Sequence, residues 1–311
     1  MKITILDSST LGEDISLDAI TTIGDTDVYE NTSQSEIKDR IKDCDVVVLN
    51  KMKLGCEELS AAQKLKLICV TATGYDNVDV KYCRENGIAV CNVVGYSTDS
   101  VCLLTVSMAL SLAVRLPEYD EYTKSGAYTR SGLQNMLSPV YCEMHGKTWG
   151  IIGYGAIGKA VGKAAEALGC RISYSSRSHG GVSVDDIMRN SDFISIHVPL
   201  TDETRGMIGK RELSLCERKP VLINVSRGAV CDEASLVKAV KDGTLSGLGV
   251  DVYTEEPFGK DSPYNTLFDC KRAILTPHMA WGAYEARVRC VSEVAENIKT
   301  FFGGGKRNRV C

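Results

Sequence analysis

The stretch Gly153-Tyr-Gly-Ala-Ile-Gly158 decides the fold of this chain. It follows the apolar run Thr148-Trp-Gly-Ile-Ile152 and precedes an alanine-rich segment with helical periodicity. A strand, a tight turn and a helix in this order are the context that a dinucleotide-binding glycine motif requires. Gly153 permits the turn, Gly155 lets the backbone approach a pyrophosphate, and Gly158 lets the helix and the strand pack closely.

The helix predicted after this motif is suited to bind phosphate. The N–H groups of its first turn have no partner within the helix, and the positive end of the helix dipole lies beside them. The sequence therefore predicts a bound dinucleotide. A glycine-rich turn in another kind of α/β protein remains the alternative at this point.

The composition is typical of a globular protein with two domains. The chain has 311 residues, of which 44% are hydrophobic and 24% are charged, and this length is sufficient for two cores. The formal net charge of −4 argues against an electrostatic nucleic-acid binder. The basic stretch Lys306-Arg-Asn-Arg309 is short, and we expect it to be a solvated tail.

The thirteen cysteines predict neither a metal site nor a disulfide framework, because they include no CxxC pair and no cysteine–histidine cluster. No charged segment followed by an apolar one opens the sequence, so no secretion signal is expected. The longest apolar run, 101–114, is too short to span a bilayer. We therefore expect buried, reduced thiols, a cytoplasmic protein without membrane association, and a buried helix over 101–114 at a domain or subunit interface.

Strand and helix patterns alternate along the chain. Short apolar strands such as 2–7 and 46–49 alternate with helical patterns in the first third, and a second series of strands runs from 148–152 to 273–275. Alternation of this kind predicts parallel strands with helices on both faces of each sheet.

We therefore predict an α/β protein with two doubly wound parallel-sheet domains and a cleft between them, the second domain being a Rossmann dinucleotide-binding domain. The substrate-binding domain is expected to be discontinuous, with residues 1–100 and 284–311. Residues 101–283 are expected to form the dinucleotide-binding domain, with 116–146 as a connecting segment.

Polar side chains follow neighbouring strands of the second series. Arg227 follows the strand 221–225, Asp251 ends the next strand with Glu256 shortly after it, and His278 follows the last strand. Ligands of open α/β sheets bind at such strand ends. An arginine grips a carboxylate, a histidine transfers a proton near neutral pH, and a carboxylate orients that histidine. Each residue taken alone has a structural alternative.

The sequence resembles the D-isomer-specific 2-hydroxyacid dehydrogenases. The matching segments appear in the order of that family and cover nearly the whole chain: Ala72-Thr-Gly-Tyr-Asp-Asn-Val-Asp79, the glycine motif, His197-Val-Pro-Leu-Thr201, Asn224-Val-Ser-Arg-Gly228, Gly249-Val-Asp-Val-Tyr253, Glu255-Glu-Pro257 and Thr276-Pro-His278.

The resemblance implies roles for individual residues. Arg227, Glu256 and His278 would be the catalytic residues. Substrate would be bound by Arg227, His278 and the backbone N–H groups of Thr73 and Gly74. Residues of the cofactor site would be Gly153, Tyr154, Gly155, Ala156, Ile157, Gly158, Ser175, Ser176, Arg177, His197, Pro199, Thr204, Val225 and Asp251, the last holding the nicotinamide amide. No metal is implied.

The end of the second predicted strand favours NADP(H) over NAD(H). An NAD site usually has an acidic residue about 20 residues beyond the glycine motif. Here Ser175, Ser176, Arg177 and Ser178 occupy that region, and an arginine with hydroxyl groups would bind a 2′-phosphate. A permissive loop that accepts either cofactor is the alternative.

A finer resemblance points to the hydroxypyruvate reductase and glycerate dehydrogenase branch. It is carried by Asn50-Lys-Met52, Gly95-Tyr-Ser-Thr-Asp-Ser-Val101 and His278-Met-Ala-Trp281, whereas Val94 departs from the proline that is usual there.

This branch implies the NAD(P)H-dependent reduction of hydroxypyruvate or glyoxylate to D-glycerate or glycolate by a homodimer. A D-lactate-type or bulkier 2-keto acid dehydrogenase and a nucleotide-sensing, corepressor-like protein are the alternatives. Lys51 follows a strand and is expected to contact the substrate, with an exposed surface lysine as its alternative reading.

Overall fold

The computed structural model describes all 311 residues. The chain divides into two compact units, one formed by Met1–Ser97 with Gly282–Cys311 and the other by Thr98–Trp281. Each unit has its own predominantly parallel sheet. The two doubly wound α/β domains that the sequence predicts are therefore present, while the assignment of substrate binding to the first unit stays a prediction.

The sheet of the first unit has the strand order β2-β1-β3-β4-β5, and all its pairs are parallel. Its strands are β1 (Lys2–Ile5), β2 (Asp25–Val28), β3 (Val46–Leu49), β4 (Leu67–Val70) and β5 (Ala89–Cys91). Short helices connect them: α1 (Asp18–Thr21), α2 (Ile37–Ile41), α3 (Cys56–Leu59) and α4 (Val80–Glu85). Both central strands, β3 and β4, are buried at every position, as a parallel sheet covered on two faces requires.

The sheet of the second unit has the order β12-β11-β10-β9-β6-β7-β8. Its strands are β6 (Thr148–Ile152), β7 (Arg171–Ser176), β8 (Gly180–Gly181), β9 (Phe193–Ile196), β10 (Val221–Asn224), β11 (Gly247–Val250) and β12 (Ala273–Leu275). The six predicted strands are parallel, and β8 adds a short antiparallel edge beside β7. Sequence patterns missed β8 because two glycines carry no side-chain alternation.

The helices of the second unit are α5 (Thr98–Val114), α6 (Leu116–Lys124), α7 (Ala127–Ser131), α8 (Ala156–Ala167), α9 (Val184–Asn190), α10 (Lys210–Leu213) and α11 (Glu233–Asp242). The connecting segment predicted over 116–146 contains α6 and α7. Neither helix buries a residue, so no apolar stripe marked them in the sequence. No single helix is long and apolar enough to cross a membrane; α5 and α6 reach that length only together, across a bend of 61°.

The final helix, α12 (Tyr284–Phe302), belongs to the first unit and buries Ala286, Cys290, Val294 and Ile298 along one face. The residues after it then run antiparallel to β5, where the N–H of Val310 donates to the carbonyl of Val90 at 2.7 Å. The side chains of Lys306, Arg307 and Arg309 are exposed, as expected of a solvated segment, but its backbone is paired with the first sheet and does not form a free tail. An edge strand has unpaired backbone groups, and this segment satisfies those of β5.

All thirteen cysteines are free, and eight of them are buried. Burial disfavours a thiolate and raises, for example, the pKa of Cys290 to about 12 and that of Cys44 to about 11. Mostly buried thiols without disulfides are what the sequence predicted.

Candidate active site

The glycine motif forms the turn between β6 and α8, and its three glycines have different surroundings. Gly153 has a φ of +98°, and a side chain there would meet the backbone of His197 at 2.7 Å. A Cβ atom at Gly158 would collide with the carbonyl oxygen of Gly153. At Gly155 a Cβ would meet nothing within 4 Å, so the space above this residue is open. The loop therefore fits the close approach of a pyrophosphate.

The N-terminus of α8 presents backbone donors to that open space. The N-cap residue is Gly155, so no side chain caps the N–H groups of the first turn, which consists of Ala156, Ile157 and Gly158. Tyr154 stacks on Tyr174 of β7 with ring centroids 4.0 Å apart, which holds the turn against the neighbouring strand. These donors at the positive end of a helix dipole suit a phosphate group.

The loop between β7 and β8 forms a polar cluster without an acidic residue. Ser175 and Ser176 end β7, and Arg177 is exposed in the loop. His179 accepts a hydrogen bond from Nζ of Lys159 on α8 at 2.9 Å, because an ammonium group only donates. Its Nδ1 lies 2.7 Å from the hydroxyl of Ser178.

Lys159 and His179 were not assigned a role from the sequence. The spacing of 20 residues between them gave no signal, since only the folded loop brings them together. Arg177 has an acidic neighbour: it contributes, after the hydroxyl of Thr201, to lowering the pKa of Glu203.

His197 follows β9 and cannot act as an acid at neutral pH. Burial lowers the pKa of its ring to about 3. Its Nε2 lies 3.0 Å from the hydroxyl of Ser195, which in turn accepts from the indole N–H of Trp149 at 3.0 Å. The backbone of His197 lies against the glycine turn, while its neutral ring contacts Ser195. Beyond it, the hydroxyl of Thr204 donates to the carbonyl of Pro199 at 2.7 Å and closes that loop.

The predicted catalytic residues follow three adjacent strands of the second sheet: Arg227 follows β10, Glu256 follows β11 and His278 follows β12. Nδ1 of His278 lies 2.5 Å from Oε2 of Glu256. The other carboxylate oxygen of Glu256 accepts from the backbone N–H of Tyr253 at 3.0 Å. The carboxylate is therefore fixed on one side by the backbone and on the other by the imidazole.

The backbone that carries His278 is held in an unusual conformation. Its φ is +51°, in the left-handed region, and its carbonyl accepts from the indole N–H of Trp281 at 3.0 Å. Non-glycine residues rarely adopt this conformation, and it concentrates at functional sites. With Nδ1 directed at Glu256, the ring has Nε2 as its second nitrogen for a substrate.

Asp251 anchors the segment that leads to His278. It is fully buried, and its carboxylate accepts from the hydroxyl of Thr276 at 2.6 Å and from the backbone N–H groups of Met279 and Ala280, both at 2.9 Å. Burial raises the pKa of Asp251, while these donors oppose the shift. Sequence reasoning gave Asp251 a cofactor contact only and missed this anchoring role.

Asn224 and Gly228 shape the loop that carries Arg227. The side chain of Asn224 accepts from the backbone N–H of Ser226 at 3.1 Å and donates to the carbonyl of Arg227 at 3.0 Å. A side chain at Gly228 would collide with the backbone of Tyr253, so the loop packs against the segment that leads to Glu256. Val225, at the start of this loop, is buried.

The substrate residues expected in the first unit lie at the ends of β3 and β4. Lys51 is exposed, and its backbone N–H donates to the buried carboxylate of Asp7 at 2.6 Å. Thr73 and Gly74 follow β4, and their backbone N–H groups donate to no acceptor of the protein. Asn77 donates to the carbonyl of Met52 at 2.8 Å and so joins the two loops.

Comparisons with known proteins agree on one family. The family model described as "D-isomer specific 2-hydroxyacid dehydrogenase, NAD binding domain" matches residues 106–280. A glyoxylate reductase of Thermococcus litoralis is 39% identical over 279 residues, which cover 86% of this chain and 83% of the relative. A glycerate dehydrogenase of Methylorubrum extorquens is 36% identical over 286 residues, covering 91% and 90%.

The same fold occurs among solved structures. An acyclic imino acid reductase in complex with NADPH and D-Arg superposes with a TM-score of 0.88 at 28% identity, and the match covers 100% of both chains. The match includes both units, so the whole chain shares this architecture.

Proposed function

Because the chain belongs to the D-isomer specific 2-hydroxyacid dehydrogenase family, we propose that it reduces hydroxypyruvate or glyoxylate to D-glycerate or glycolate with NADPH. The observation that carries this proposal is the contact of 2.5 Å between His278 and Glu256. It stands at the strand ends of the same sheet whose first turn is the glycine motif. A proton donor beside a dinucleotide site is what the reduction of a keto group requires.

His278 supplies the proton in this reaction. The nicotinamide, when bound, supplies the hydride that adds to the keto carbon of the substrate. The keto oxygen then becomes an alkoxide, and Nε2 of His278 donates its proton to that oxygen. Glu256 accepts from Nδ1–H throughout and stabilises the positive charge of the protonated ring. Asp251 keeps the His278 segment in place through its three hydrogen bonds.

The carboxylate of the substrate is bound by donors from the chain. Arg227 has a planar guanidinium group that binds a carboxylate through two parallel hydrogen bonds and polarises the keto oxygen. In the first unit, the backbone N–H groups of Thr73 and Gly74, which donate to no acceptor of the protein, are further donors suited to a carboxylate. These groups bind the acid function that all 2-keto acids share, so they do not distinguish one substrate from another.

Lys51 is proposed to favour hydroxypyruvate. An ammonium group donates to the C3 hydroxyl that hydroxypyruvate has and pyruvate lacks. Lys51→Met is expected to raise KM for hydroxypyruvate about tenfold and to leave KM for pyruvate nearly unchanged. Lys53→Met removes another exposed lysine of the same loop and serves as the control. Equal effects of Lys51→Met on both substrates would exclude this role.

The preference for NADPH is proposed from the β7–β8 loop. The loop offers hydroxyl groups and cations and no carboxylate at the position of the ribose, and these groups suit a 2′-phosphate. Arg177→Asp combined with Ser175→Asp should shift the kcat/KM ratio toward NADH by about tenfold to a hundredfold. The alternative, a loop that serves both cofactors equally, requires equal kcat/KM values in the unmodified protein.

A homodimer in the cytoplasm is proposed as the state of the protein. The region from α5 to the segment before β6 exposes a set of large apolar side chains: Leu103, Leu116, Leu133, Leu137, Val140 and Tyr141. Exposed apolar residues in this density are typical of a subunit interface. Free thiols suit a reducing compartment. Light scattering should return twice the mass of 33.8 kDa, and a monomer would contradict the proposal.

One assay tests the main proposal. The purified protein is mixed with a panel of 2-keto acids, including glyoxylate, hydroxypyruvate, pyruvate and a bulky keto acid, each with NADPH and with NADH. Turnover of the small acids with NADPH supports the proposal. Preference for pyruvate or a bulky acid would favour a dehydrogenase of another specificity. Cofactor binding without any turnover would favour the corepressor-like alternative.

A further inference from the structure

The peptide between Thr73 and Gly74 has a fixed direction. In a trans peptide, the carbonyl of one residue and the N–H of the next point in opposite directions. The side-chain amide of Asn92 donates to the carbonyl of Thr73 at 2.8 Å. This hydrogen bond holds the carbonyl toward Asn92, and it thereby directs the N–H of Gly74 away from Asn92.

Asn92 itself is held by two residues that lie far away in the sequence. Its carbonyl accepts from the side-chain amide of Asn297 on α12 at 2.9 Å. Its backbone N–H donates to the carbonyl of Asn308 at 3.2 Å. The backbone of Asn92 is thus fixed on both sides, and this fixes the direction in which its side chain leaves the chain.

The hydrogen bonds continue from Asn297 to Asn308. The side-chain oxygen of Asn297 accepts from the side-chain amide of Asn308 at 3.0 Å. Asn297 is only 1% exposed and Asn92 only 7%. Carbonyl oxygens only accept, so their partners fix the orientation of both donating amides. A buried amide network that is satisfied in this way is rigid, because any other arrangement leaves a polar group without a partner.

We propose that Asn92 and Asn297 are positioning residues, which orient the Thr73–Gly74 peptide so that the N–H of Gly74 is presented to the substrate carboxylate. The inference rests on the proposed function, since it takes a 2-keto acid as the ligand. It assigns a role to α12, which carries Asn297, and to the segment after it, which carries Asn308.

A purely structural role would also explain buried asparagines, and the two readings differ in what they predict. A structural role lowers the stability of the first unit and leaves substrate binding unchanged in the protein that remains folded. A positioning role raises KM for the keto acid, with kcat and the Kd of NADPH little changed. The Kd of oxalate, an unreactive dicarboxylate, rises with KM.

The test uses Asn92→Asp in the full-length protein. An aspartate of the same size cannot donate to the carbonyl of Thr73 and repels it. KM for glyoxylate and the Kd of oxalate in the presence of NADPH should both rise about tenfold to a hundredfold. Asn92→Ala carries the same test if the aspartate variant does not fold, because alanine removes the donor without burying a charge.

Thr71→Val is the matched control. Thr71 is a buried residue that directly follows β4, and its hydroxyl donates to the carbonyl of Leu49 at 3.2 Å, not to the Thr73–Gly74 peptide. The Thr71→Val variant should be less stable than the unmodified protein and should have an unchanged Kd for oxalate.

Asn297→Asp keeps the acceptor for Asn308 and removes the donor to Asn92. This variant should therefore raise KM for glyoxylate and the Kd of oxalate by a smaller factor than Asn92→Asp does.

The outcomes separate this inference from the function on which it rests. The positioning role would be overturned if Asn92→Asp and Asn92→Ala had the same Kd for oxalate and the same KM for glyoxylate as Thr71→Val. The proposed function would still stand in that case, because the unmodified protein would still reduce keto acids. An unmodified protein that neither reduces keto acids nor binds oxalate would overturn the proposed function itself.

Discussion

The two sheets of this protein share the order of the strands around their first strand, but they differ in what occupies the space beyond that strand. In each sheet the first strand lies between the second strand and the next parallel strand, β2-β1-β3 in the first unit and β7-β6-β9 in the second. A crevice opens at such a point beyond the strand ends. In the first unit the buried carboxylate of Asp7 fills it and accepts from the backbone N–H groups of Asn50, Lys51 and Met52.

The second unit leaves the corresponding position open. Its first strand ends in the glycine motif, where Gly155 has no neighbour within 4 Å of a would-be side chain. An internal carboxylate in one unit therefore does what a bound phosphate is expected to do in the other, which is to accept from backbone donors. The residues directly after the first strand, and not the fold, therefore decide which sheet binds a dinucleotide.

The largest effect is expected from His278→Gln, which tests whether the chemistry belongs to the strand ends of the second sheet. Glutamine keeps a polar side chain and removes the acid. A positioned general acid contributes about a hundredfold to ten-thousandfold, so kcat should fall by that factor. The Kd of NADPH, measured by fluorescence titration, should stay unchanged. A kcat near that of the unmodified protein would remove His278 from the mechanism.

A carboxylate placed in the open crevice would make the second unit resemble the first. Gly155 has a φ of −81°, which other residues adopt freely, and the space around it is open, so Gly155→Asp should fold normally. The added charge repels the pyrophosphate and competes for its donors. The Kd of NADPH should rise about a hundredfold. Gly155→Asn has nearly the same volume without the charge, and an equal rise in that variant would mean that crowding is the cause.

The sequence predicted the parts of the fold that depend on local pattern. The glycine motif, the apolar strands and the order of the family segments were sufficient for two parallel sheets and for the residues at their carboxyl ends. The pairing of Glu256 with His278 could be expected because adjacent strands carry them. Adjacent parallel strands bring the residues at their carboxyl ends to the same edge of the sheet.

Other parts depend on contacts that no local pattern contains. The antiparallel pairing of the segment around Arg309 with β5 joins residues more than 200 positions apart. The bond between Lys159 and His179, and the network from Asn308 through Asn297 to Asn92, likewise form only after folding. Hydrogen bonds between polar side chains have no periodicity, so their partners could not be read from the sequence.

A smaller effect is expected from Glu256→Gln, which tests how much the charge behind His278 contributes. The amide keeps the shape of the carboxylate and loses the charge-assisted hydrogen bond to Nδ1. Such a bond is stronger than a neutral one by an amount that corresponds to about a tenfold loss in kcat. Glu255→Gln neutralises the exposed neighbouring carboxylate and should leave kcat unchanged. Equal kcat values for the two variants would show that the charge of Glu256 is not needed.

The smallest effect is expected from Asp7→Asn, and it concerns the cost of filling the crevice with an internal carboxylate. Burial raises the pKa of Asp7, against the backbone donors and the charge of Lys51. A carboxyl group with a raised pKa in the folded state favours folding when protonated, and this contribution is lost as pH rises through the raised pKa. The unmodified protein should therefore lose stability relative to Asp7→Asn as pH rises above about 4, by an amount on the order of 1 kcal/mol, the scale of one hydrogen bond. Asp45→Asn is the matched control variant, because the N–H of Lys2 and the ammonium of Lys66 lower the pKa of Asp45. The contribution of Asp45 to stability is present at neutral pH and is lost only as pH falls below about 4.

The measurement is urea unfolding of the three proteins across this pH range. If the free energies of unfolding of the unmodified protein and of Asp7→Asn change in parallel with pH, the carboxylate is buried at no cost. The crevice of the first unit would then be as well suited to an anion as that of the second.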